Sequence, residues 1–297
     1  MSTTEQKCLF LILGIVMLSL QSCFKEPLSN NSKPTGSSNL KDTTVLNVVY
    51  GTNSAQVYDA YLPAQRDSNT PVIIMIHGGA WKAGQKEDMN VFMNIIKNQW
   101  KDAAVVNMNY RLASNTKNIH HTEIIEDISA VVSQLDSLKE SYHISAKMGI
   151  MGASAGGQLA MIYAYRYDSL NHIKCVGNFY GPSIINDWDW YNSFNLWLGG
   201  KVGDILAEYV GQTWDTTEYK TVSPYWNISS SSQPTIIFHG NADPIVPHYQ
   251  SQWLNSKLKS LGVAVEYKEY PAFHGFDGNQ NNDAIIRLIN FFKPRLQ

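Results

Sequence analysis

One serine lies in a sequence setting that suits nucleophilic chemistry. Ser154 is the centre of the segment GASAG at residues 152–156, which follows the strand-like run Lys147–Met151 and precedes a helix-like run. A tight turn between a strand and a helix lifts a serine hydroxyl above the sheet and sets it at a helix N-terminus, where developing negative charge is stabilised. Glycines two residues before and two residues after the serine leave room for that turn. We therefore predict that Ser154 is a nucleophile.

A second glycine-containing segment, HGGAW at residues 77–81, follows the apolar run Val72–Ile76 directly. Glycine lets backbone N–H groups approach a substrate oxygen with no Cβ in the way, which is what an oxyanion hole requires. We expect the N–H groups of Gly78, Gly79 and Ala155 to be its donors. His77 is expected to have a structural role.

A serine nucleophile needs a general base, for which histidine is the usual residue. Four histidines follow Ser154 in the chain, and His274 lies in the loop AFHGF after the last strand-like run, where it could reach back over the sheet. His239 ends a strand and is expected to be a packed or hydrogen-bonded neighbour, and His172 and His248 have no supporting context. We predict His274 as the base.

The base in turn needs a carboxylate to orient it. Asp243 follows a strand through a short turn in the segment HGNADPIVP at residues 239–247, and Pro244 restricts its backbone to extended geometry. The alternative is Asp277, which only two residues separate from His274. We predict Asp243 as the orienting acid.

These motifs lie in a chain that alternates strand-like and helix-like segments from residue 45 onward. The strand-like runs are Val45–Tyr50, Val57–Leu62, Val72–His77, Ala104–Asn109, Lys147–Met151, Cys175–Phe179, Thr235–His239 and Val263–Tyr270. The helix-like runs are Lys86–Gln99, Thr122–Glu140, Ala155–Tyr167, Pro247–Leu261 and Ala284–Lys293. The alternation predicts an α/β fold with a mostly parallel, doubly wound sheet flanked by helices, which binds ligands at the carboxyl ends of its strands.

Residues 182–226 break this alternation and hold five of the eight tryptophans of the chain. We predict that they form a cap inserted over the active face. Because aromatic rings pack well on sugar rings and phenolic acyl groups, we expect substrate contacts from Trp81, Trp188, Trp190 and Trp197. The alternative is that the tryptophans of the insertion form the core of the cap itself.

The N-terminal segment has the features of a secretory signal. Lys7 precedes an uncharged run over residues 8–20, whose thirteen residues would span only about 20 Å as a helix, less than the roughly 30 Å of a bilayer core. The run ends Leu20-Gln21-Ser22-Cys23, which resembles a bacterial lipobox and implies lipid attachment at Cys23. We expect a signal peptide over 1–22, with an uncleaved anchor as the alternative.

After the signal peptide, the polar residues 23–44 predict a flexible tether, and residues 45–297 the catalytic domain. We expect the chain to be anchored by its lipid to the outer membrane or cell surface of a Gram-negative bacterium. The formal net charge of −2 and the absence of a basic stripe give no reason to expect nucleic acid as a partner.

Cysteine usage limits the chemistry further. Of three cysteines, Cys8 lies in the signal and Cys23 would be acylated, so Cys175 alone remains for the folded part. One thiol forms neither an internal disulfide nor a cysteine-based zinc site. Cys175 is expected to be buried and inert. A serine mechanism needs no metal or organic cofactor, and we expect none.

Taken in order, the motifs HGGAW, NYRL at 109–112, GASAGG, HGNADPIVP and HGF resemble those of the α/β-hydrolase carboxylesterases. The nearest branch joins hormone-sensitive-lipase-like esterases with bacterial feruloyl or acetyl-xylan esterases. The resemblance covers residues 45–295 and implies the α/β-hydrolase fold and the Ser154, Asp243 and His274 triad. It also implies an oligosaccharide or small-molecule ester as substrate. Ala80, where the family has glycine, and the insertion 182–226 depart from the pattern.

We therefore expect a serine carboxylic-ester hydrolase that removes acetyl or feruloyl groups from plant-type polysaccharides. The alternatives are a general short-chain carboxylesterase or lipase, an arylformamidase-like amide hydrolase and a prolyl-oligopeptidase-like peptidase. A non-enzymatic glycan-binding lipoprotein is disfavoured because all three triad positions are filled.

Overall fold

A computed structural model of the protein describes residues 40–297. The signal peptide 1–22, the lipid site Cys23 and most of the predicted tether lie outside the described residues. Within the described residues, no helix has the length and apolar character that crossing a membrane would require.

Residues 40–297 contain ten strands, eight of which form one sheet in the order β1-β2-β4-β3-β5-β6-β9-β10. Their bounds are β1 Thr43–Val49, β2 Val57–Leu62, β3 Val72–Ile76, β4 Ala104–Met108, β5 Met148–Ala153, β6 Ile173–Phe179, β7 Phe194–Asn195, β8 Gly200–Lys201, β9 Thr235–Gly240 and β10 Val265–Tyr270. Strand β2 runs antiparallel to β1 and β4, and every other neighbouring pair of this sheet is parallel. The mostly parallel sheet confirms the predicted fold class.

Helices cover both faces of the sheet. Their bounds are α1 Asn90–Gln99, α2 His121–Tyr142, α3 Ala155–Ile162, α4 Trp188–Asn192, α5 Val202–Val210, α6 Thr216–Thr221, α7 Pro224–Asn227, α8 Tyr249–Ser260 and α9 Gly278–Leu296. Apolar residues of α1 and α9 form one core cluster with the sheet, whereas α2, α3 and α8 contribute to the other. Strand β3 shows why: Ile73 and Met75 belong to the first cluster, and Val72, Ile74 and Ile76 to the second, because side chains alternate along a strand.

Three helices differ from the predicted runs by more than two residues at one or both ends, for local reasons. The run Lys86–Gln99 starts as a 3-10 turn before α1, and the run Ala155–Tyr167 ends as a π-helical turn after α3. Helix α9 begins six residues earlier than the apolar pattern suggested, because the Asp277 carboxylate accepts a hydrogen bond from the Gln280 N–H at 2.8 Å and caps the first turn.

The insertion 182–226 lies between the paired strands β6 and β9 and holds α4, the β7–β8 hairpin, α5, α6 and α7. It contains an aromatic cluster, in which Trp214 contacts the rings of Trp188, Tyr191 and Tyr219 at centroid distances of 4.8 to 5.1 Å. Part of the tryptophan content of the insertion therefore stabilises the cap itself.

Candidate active site

Ser154 occupies the sharp turn between β5 and α3. Its backbone has φ +54° and ψ −122°, a conformation that costs a non-glycine residue about 1–3 kcal/mol. The flanking glycines make the turn possible, since a Cβ on Gly152 would lie 2.2 Å from the Gly156 carbonyl oxygen and one on Gly156 would lie 2.1 Å from the Ile76 carbonyl oxygen. The hydroxyl is thus presented at the N-terminus of α3, where the helix dipole favours negative charge.

Three side chains from separate loops form a hydrogen-bonded series at the carboxyl edge of the sheet. Ser154 Oγ lies 2.8 Å from His274 Nε2, and His274 Nδ1 lies 2.7 Å from Asp243 Oδ2. With its Nδ1 proton donated to the carboxylate, the imidazole keeps Nε2 free to accept the serine proton. Asp277, the alternative acid, caps α9 and takes no part in this series.

The Asp243 carboxylate is buried and accepts four hydrogen bonds. Oδ1 accepts from the N–H groups of Ile245 and Val246 at 2.8 and 3.0 Å, and Oδ2 accepts from His274 and His239. Burial alone would raise the pKa of Asp243, but the hydrogen bonds from the two histidines outweigh it and hold the pKa below its ordinary range. The acid therefore stays ionised next to His274 at neutral pH.

His239 supports this carboxylate from the strand side. Its ring is fully buried, with Nδ1 2.7 Å from Ser251 Oγ and Nε2 3.1 Å from both the Val246 carbonyl oxygen and Asp243 Oδ2. The Nε2 proton faces these two acceptors, and Nδ1 forms a hydrogen bond with the Ser251 hydroxyl.

The HGGAW loop turns beside Ser154 through three residues with positive φ, namely Gly79 at +112°, Ala80 at +50° and Trp81 at +60°. His77 Nδ1 lies 2.7 Å from the Gly78 carbonyl oxygen and donates to it. A trans peptide places its N–H opposite its carbonyl, so the Gly79 N–H faces away from His77. No hydrogen bond within residues 40–297 uses the N–H of Gly79 or Ala155.

His77 fixes this loop as a buried, neutral ring. It stacks on Tyr110 at a centroid distance of 4.2 Å and an interplanar angle of 11°, and the Tyr110 hydroxyl donates to the His77 carbonyl oxygen at 3.2 Å. Burial lowers the pKa of His77, which keeps the ring uncharged. Its role in the structure is to orient the peptide that carries the Gly79 N–H.

Trp81 ties the same loop to the cap through a buried hydrogen-bond network. Its Nε1 and the Tyr209 hydroxyl both donate to Gln158 Oε1, at 2.9 and 3.0 Å, and the two rings stack at 4.3 Å. The Tyr209 hydroxyl accepts from His121 Nδ1 at 2.5 Å, and His121 Nε2 accepts from Tyr167 at 3.1 Å. Burial and the nearby Arg166 charge lower the pKa of His121 to about 3, so the ring is neutral.

A cavity of about 630 Å³ opens onto these groups and is lined by Ser154, His274, Gly78, Gly79 and Ala155. Its other walls are mostly apolar and are formed by the HGGAW loop, α1 and the cap. Three of the four predicted tryptophans line it, namely the buried Trp81 and Trp190 and the largely exposed Trp197. Trp188 is not among the lining residues and packs against Tyr191 and Trp214 instead.

Two further lining residues were not singled out from the sequence. Tyr180 follows β6 directly and contacts His274 edge to face at a centroid distance of 4.9 Å. Lys82 follows the HGGAW segment and forms an ion pair with Glu208 of α5. A signal for Tyr180 was available, because it stands at the carboxyl end of a central parallel strand, where ligands bind in such sheets.

Comparisons with known proteins agree with this architecture. The BD-FAE family model matches residues 58–258. Esterase LipQ of Mycobacterium tuberculosis is 24% identical over 220 residues, which cover 70% of this chain and 50% of LipQ. A kynurenine formamidase of Danio rerio is 27% identical over 238 residues, covering 76% of this chain and 72% of that enzyme. The chain thus spans about half the length of LipQ.

Among solved structures, a truncated carbohydrate esterase from gut microbiota superposes with a TM-score of 0.73 at 21% identity, covering 87% of this chain and 98% of that one. At this level of identity the similarity establishes a shared fold.

Proposed function

The chain belongs to the BD-FAE family, and esterases are among both its relatives and its structural neighbours. On that premise we propose that it removes acetyl or feruloyl groups from plant-type polysaccharides. The observation that carries the proposal is a serine hydroxyl, bonded to an imidazole at 2.8 Å, in a cavity of about 630 Å³ with three tryptophans in its wall.

In the first chemical step, Ser154 Oγ attacks the ester carbonyl carbon while His274 Nε2 takes the hydroxyl proton. Asp243, already ionised, stabilises the imidazolium that forms. The carbonyl oxygen becomes an oxyanion and accepts hydrogen bonds from the backbone N–H groups at Gly79 or Gly78 and at Ala155. Each such donor contributes about 3–4 kcal/mol in the transition state.

The tetrahedral intermediate then collapses to an acyl-enzyme. The bond to the sugar oxygen breaks and that oxygen takes the proton from His274 Nε2. A water molecule enters, gives its proton to His274 and attacks the acyl carbon, and Ser154 leaves with the proton returned by the imidazole.

The wall of the cavity supports the substrate class. A volume of about 630 Å³ is within the range of pockets that enclose a drug-sized ligand, so there is room for a phenolic acyl group as well as for acetyl. Trp190 is held by a hydrogen bond from Nε1 to the Ile245 carbonyl oxygen at 2.9 Å, which leaves a fixed aromatic surface for a phenolic ring or a sugar.

The test is product release from acetylated and feruloylated xylo-oligosaccharides, measured by chromatography for the wild type and Ser154→Ala. Acetate or ferulate should be released by the wild type, and the variant should be slower by at least about 10⁴-fold. If the wild type cleaves a simple aryl acetate but no sugar ester, the esterase assignment stands and the polysaccharide substrate is wrong. Equal rates for wild type and variant would refute the role of Ser154.

Amide hydrolysis of the arylformamidase kind is a second candidate, favoured by the match to 72% of the Danio rerio kynurenine formamidase. N-formylkynurenine in the same assay decides between the two, since a formamidase would prefer it to every ester by a large ratio of kcat/KM.

We also propose that the signal peptide 1–22 is removed and that Cys23 carries the lipid. Metabolic labelling with an alkyne fatty acid in a Gram-negative host should mark the wild type and leave Cys23→Ser unmarked. An unlabelled wild type would refute the anchor.

A further inference from the structure

A second cavity, of about 450 Å³, lies beside the first and shares the walls Trp190 and Ile245 with it. Asp243 lines it, but Ser154 and His274 do not, so the cavity lies behind the acid and away from the reacting hydroxyl. It is formed by the β7–β8 hairpin of the cap, the loop after Asp243 and the start of α8. A ligand bound at Ser154 that extends past Ile245 would enter this cavity.

The lining of the second cavity combines an exposed ring with unengaged polar side chains. Phe194 is 65% exposed, and Asp189 and the half-buried His248 stand nearby in the same wall. Within residues 40–297, no hydrogen bond or ion pair engages the side chain of Asp189 or His248. No lysine or arginine lines the cavity, whereas Asp189 does, so the charged side chains of the lining do not favour an anionic ligand.

Aromatic residues continue from the cavity along α8. Tyr249 lines the cavity, and Trp253, one helical turn further and 53% exposed, contacts its ring at a centroid distance of 4.8 Å. The i and i+4 spacing places both rings on one face of the helix. Phe194 and Tyr249 therefore line the second cavity, and Trp253 adjoins Tyr249 outside it. We refer to these three rings, together with Asp189 and His248, as the groove.

The hairpin that forms one wall is fixed to the loop of the acid. Asn195 is 8% exposed, its Oδ1 accepts from the N–H groups of Trp197 and Leu198, and its Nδ2 donates to the Pro244 carbonyl oxygen at 2.7 Å. Phe194 lines the second cavity and Trp197 the first, so the hairpin offers one ring to each.

We infer that this groove, defined by Phe194, Asp189, His248, Tyr249 and Trp253, binds the unesterified sugar chain next to the acylated sugar. Sugar rings present apolar faces that pack on aromatic side chains and hydroxyls that hydrogen-bond to carboxylate and imidazole. An uncharged sugar chain suits a groove without lysine or arginine. An extended chain could contact Phe194, Tyr249 and Trp253 with successive sugar rings. The inference rests on the proposed polysaccharide esterase function.

The experiment compares Phe194→Ala and Trp253→Ala with the wild type on substrates of increasing length. Leu196→Ala is the matched control, because Leu196 is 84% exposed on the same hairpin and lines neither cavity. We expect kcat/KM for an aryl acetate and for an acetylated xylose to stay within about twofold, whereas kcat/KM for acetylated xylohexaose falls about fivefold in each variant. The control should match the wild type on all three.

A binding measurement separates this inference from the proposed function. Ser154→Ala is run through a native gel that contains unesterified xylan, alone and combined with each groove substitution. Retardation by xylan that Phe194→Ala or Trp253→Ala removes would support the groove even if no sugar ester is cleaved. No retardation of Ser154→Ala, or an equal loss of kcat/KM on the short and long substrates, would overturn it.

Discussion

The substitution Asp243→Asn tests the hydrogen-bond logic of the site. All the groups that face the carboxylate are donors: two backbone N–H groups on Oδ1 and two imidazole N–H groups on Oδ2. Asparagine replaces one of the two carboxylate oxygens by an NH₂ group, which is a donor. That NH₂ group must therefore face one of the two pairs of donors, either the backbone N–H groups or the histidines. The backbone N–H groups are fixed, whereas His274 can shift its proton to the other ring nitrogen. The amide NH₂ should therefore turn towards the histidines.

The shifted proton then lies on His274 Nε2 and faces Ser154, so the ring no longer accepts the serine proton. The same wrong tautomer lowers kcat of serine proteases by about 10⁴-fold, and we expect a loss of that order here. Replacing two charge-assisted hydrogen bonds on Oδ2 should also lower the free energy of unfolding by about 3 kcal/mol. For a chain of this size that corresponds to a decrease in Tm of roughly 6–12 °C.

The assay pairs kcat on an aryl acetate with thermal unfolding, for Asp243→Asn and for Asp277→Asn. Asp277→Asn is the matched control, because asparagine caps a helix as well as aspartate does. It should keep both activity and Tm. The pKa of Asp243 is lowered in the folded state, so its carboxylate stabilises the fold above pH about 4, and this contribution is lost as the pH falls further. The Tm difference between wild type and Asp243→Asn should therefore shrink in acid.

The reasoning is refuted if Asp243→Asn retains more than about a tenth of wild-type kcat, since the tautomer of His274 would then not depend on this carboxylate. A large loss of activity in Asp277→Asn instead would identify the other aspartate as the acid.

Three further predictions follow from buried groups. Because the pKa of His121 is lowered to about 3, the unfolded chain binds a proton between pH 6.5 and 3 that the folded chain does not. The free energy of unfolding should therefore fall with decreasing pH, by up to about 1.4 kcal/mol per unit, and more weakly in His121→Gln. Tyr209→Phe removes the acceptor of the His121 proton and should cost about 1–3 kcal/mol in thermal melts while the stacked ring keeps kcat near that of the wild type. Cys175 is fully buried, and burial raises the pKa of its thiol. A chain with Cys8→Ser and Cys23→Ser should therefore react with a thiol reagent only after unfolding, and reaction of the native chain would contradict the burial.

The sheet and the order of the site residues were predictable because they depend on short-range patterns. Strand β2 has the bounds that its alternation indicated, Val57–Leu62. The uninterrupted apolar run of β3 identified a strand buried on both faces. Ser154, Asp243 and His274 each follow a strand through a short turn. Turns of that kind are recognisable from the spacing of glycine and proline.

The remaining features depend on contacts between distant residues. The hydrogen bond between His121 and Tyr209 joins residues 88 apart in the chain, and no local pattern indicates it. In the cap, the ring of Trp188 packs on Trp214, which lies outside its own helix, and no local pattern indicates that contact. The first turns of α9 are polar, so the apolar pattern does not include them. The helix begins at Gly278 because the Asp277 side chain caps it.

The position of the cap has a consequence for how such a chain diversifies. Residues 182–226 connect the end of β6 to the start of β9. These two strands are hydrogen-bonded neighbours in the sheet. Both ends of the insertion are therefore anchored by the sheet, whatever sequence lies between them. A replacement within this segment that keeps the contacts of Asn195 to Pro244 and of Tyr209 to Gln158 would change the walls of both cavities, yet leave the nucleophile, the base and the acid on their own loops. Substrate range can thus change through one contiguous segment, provided that its few contacts with the catalytic loops are kept.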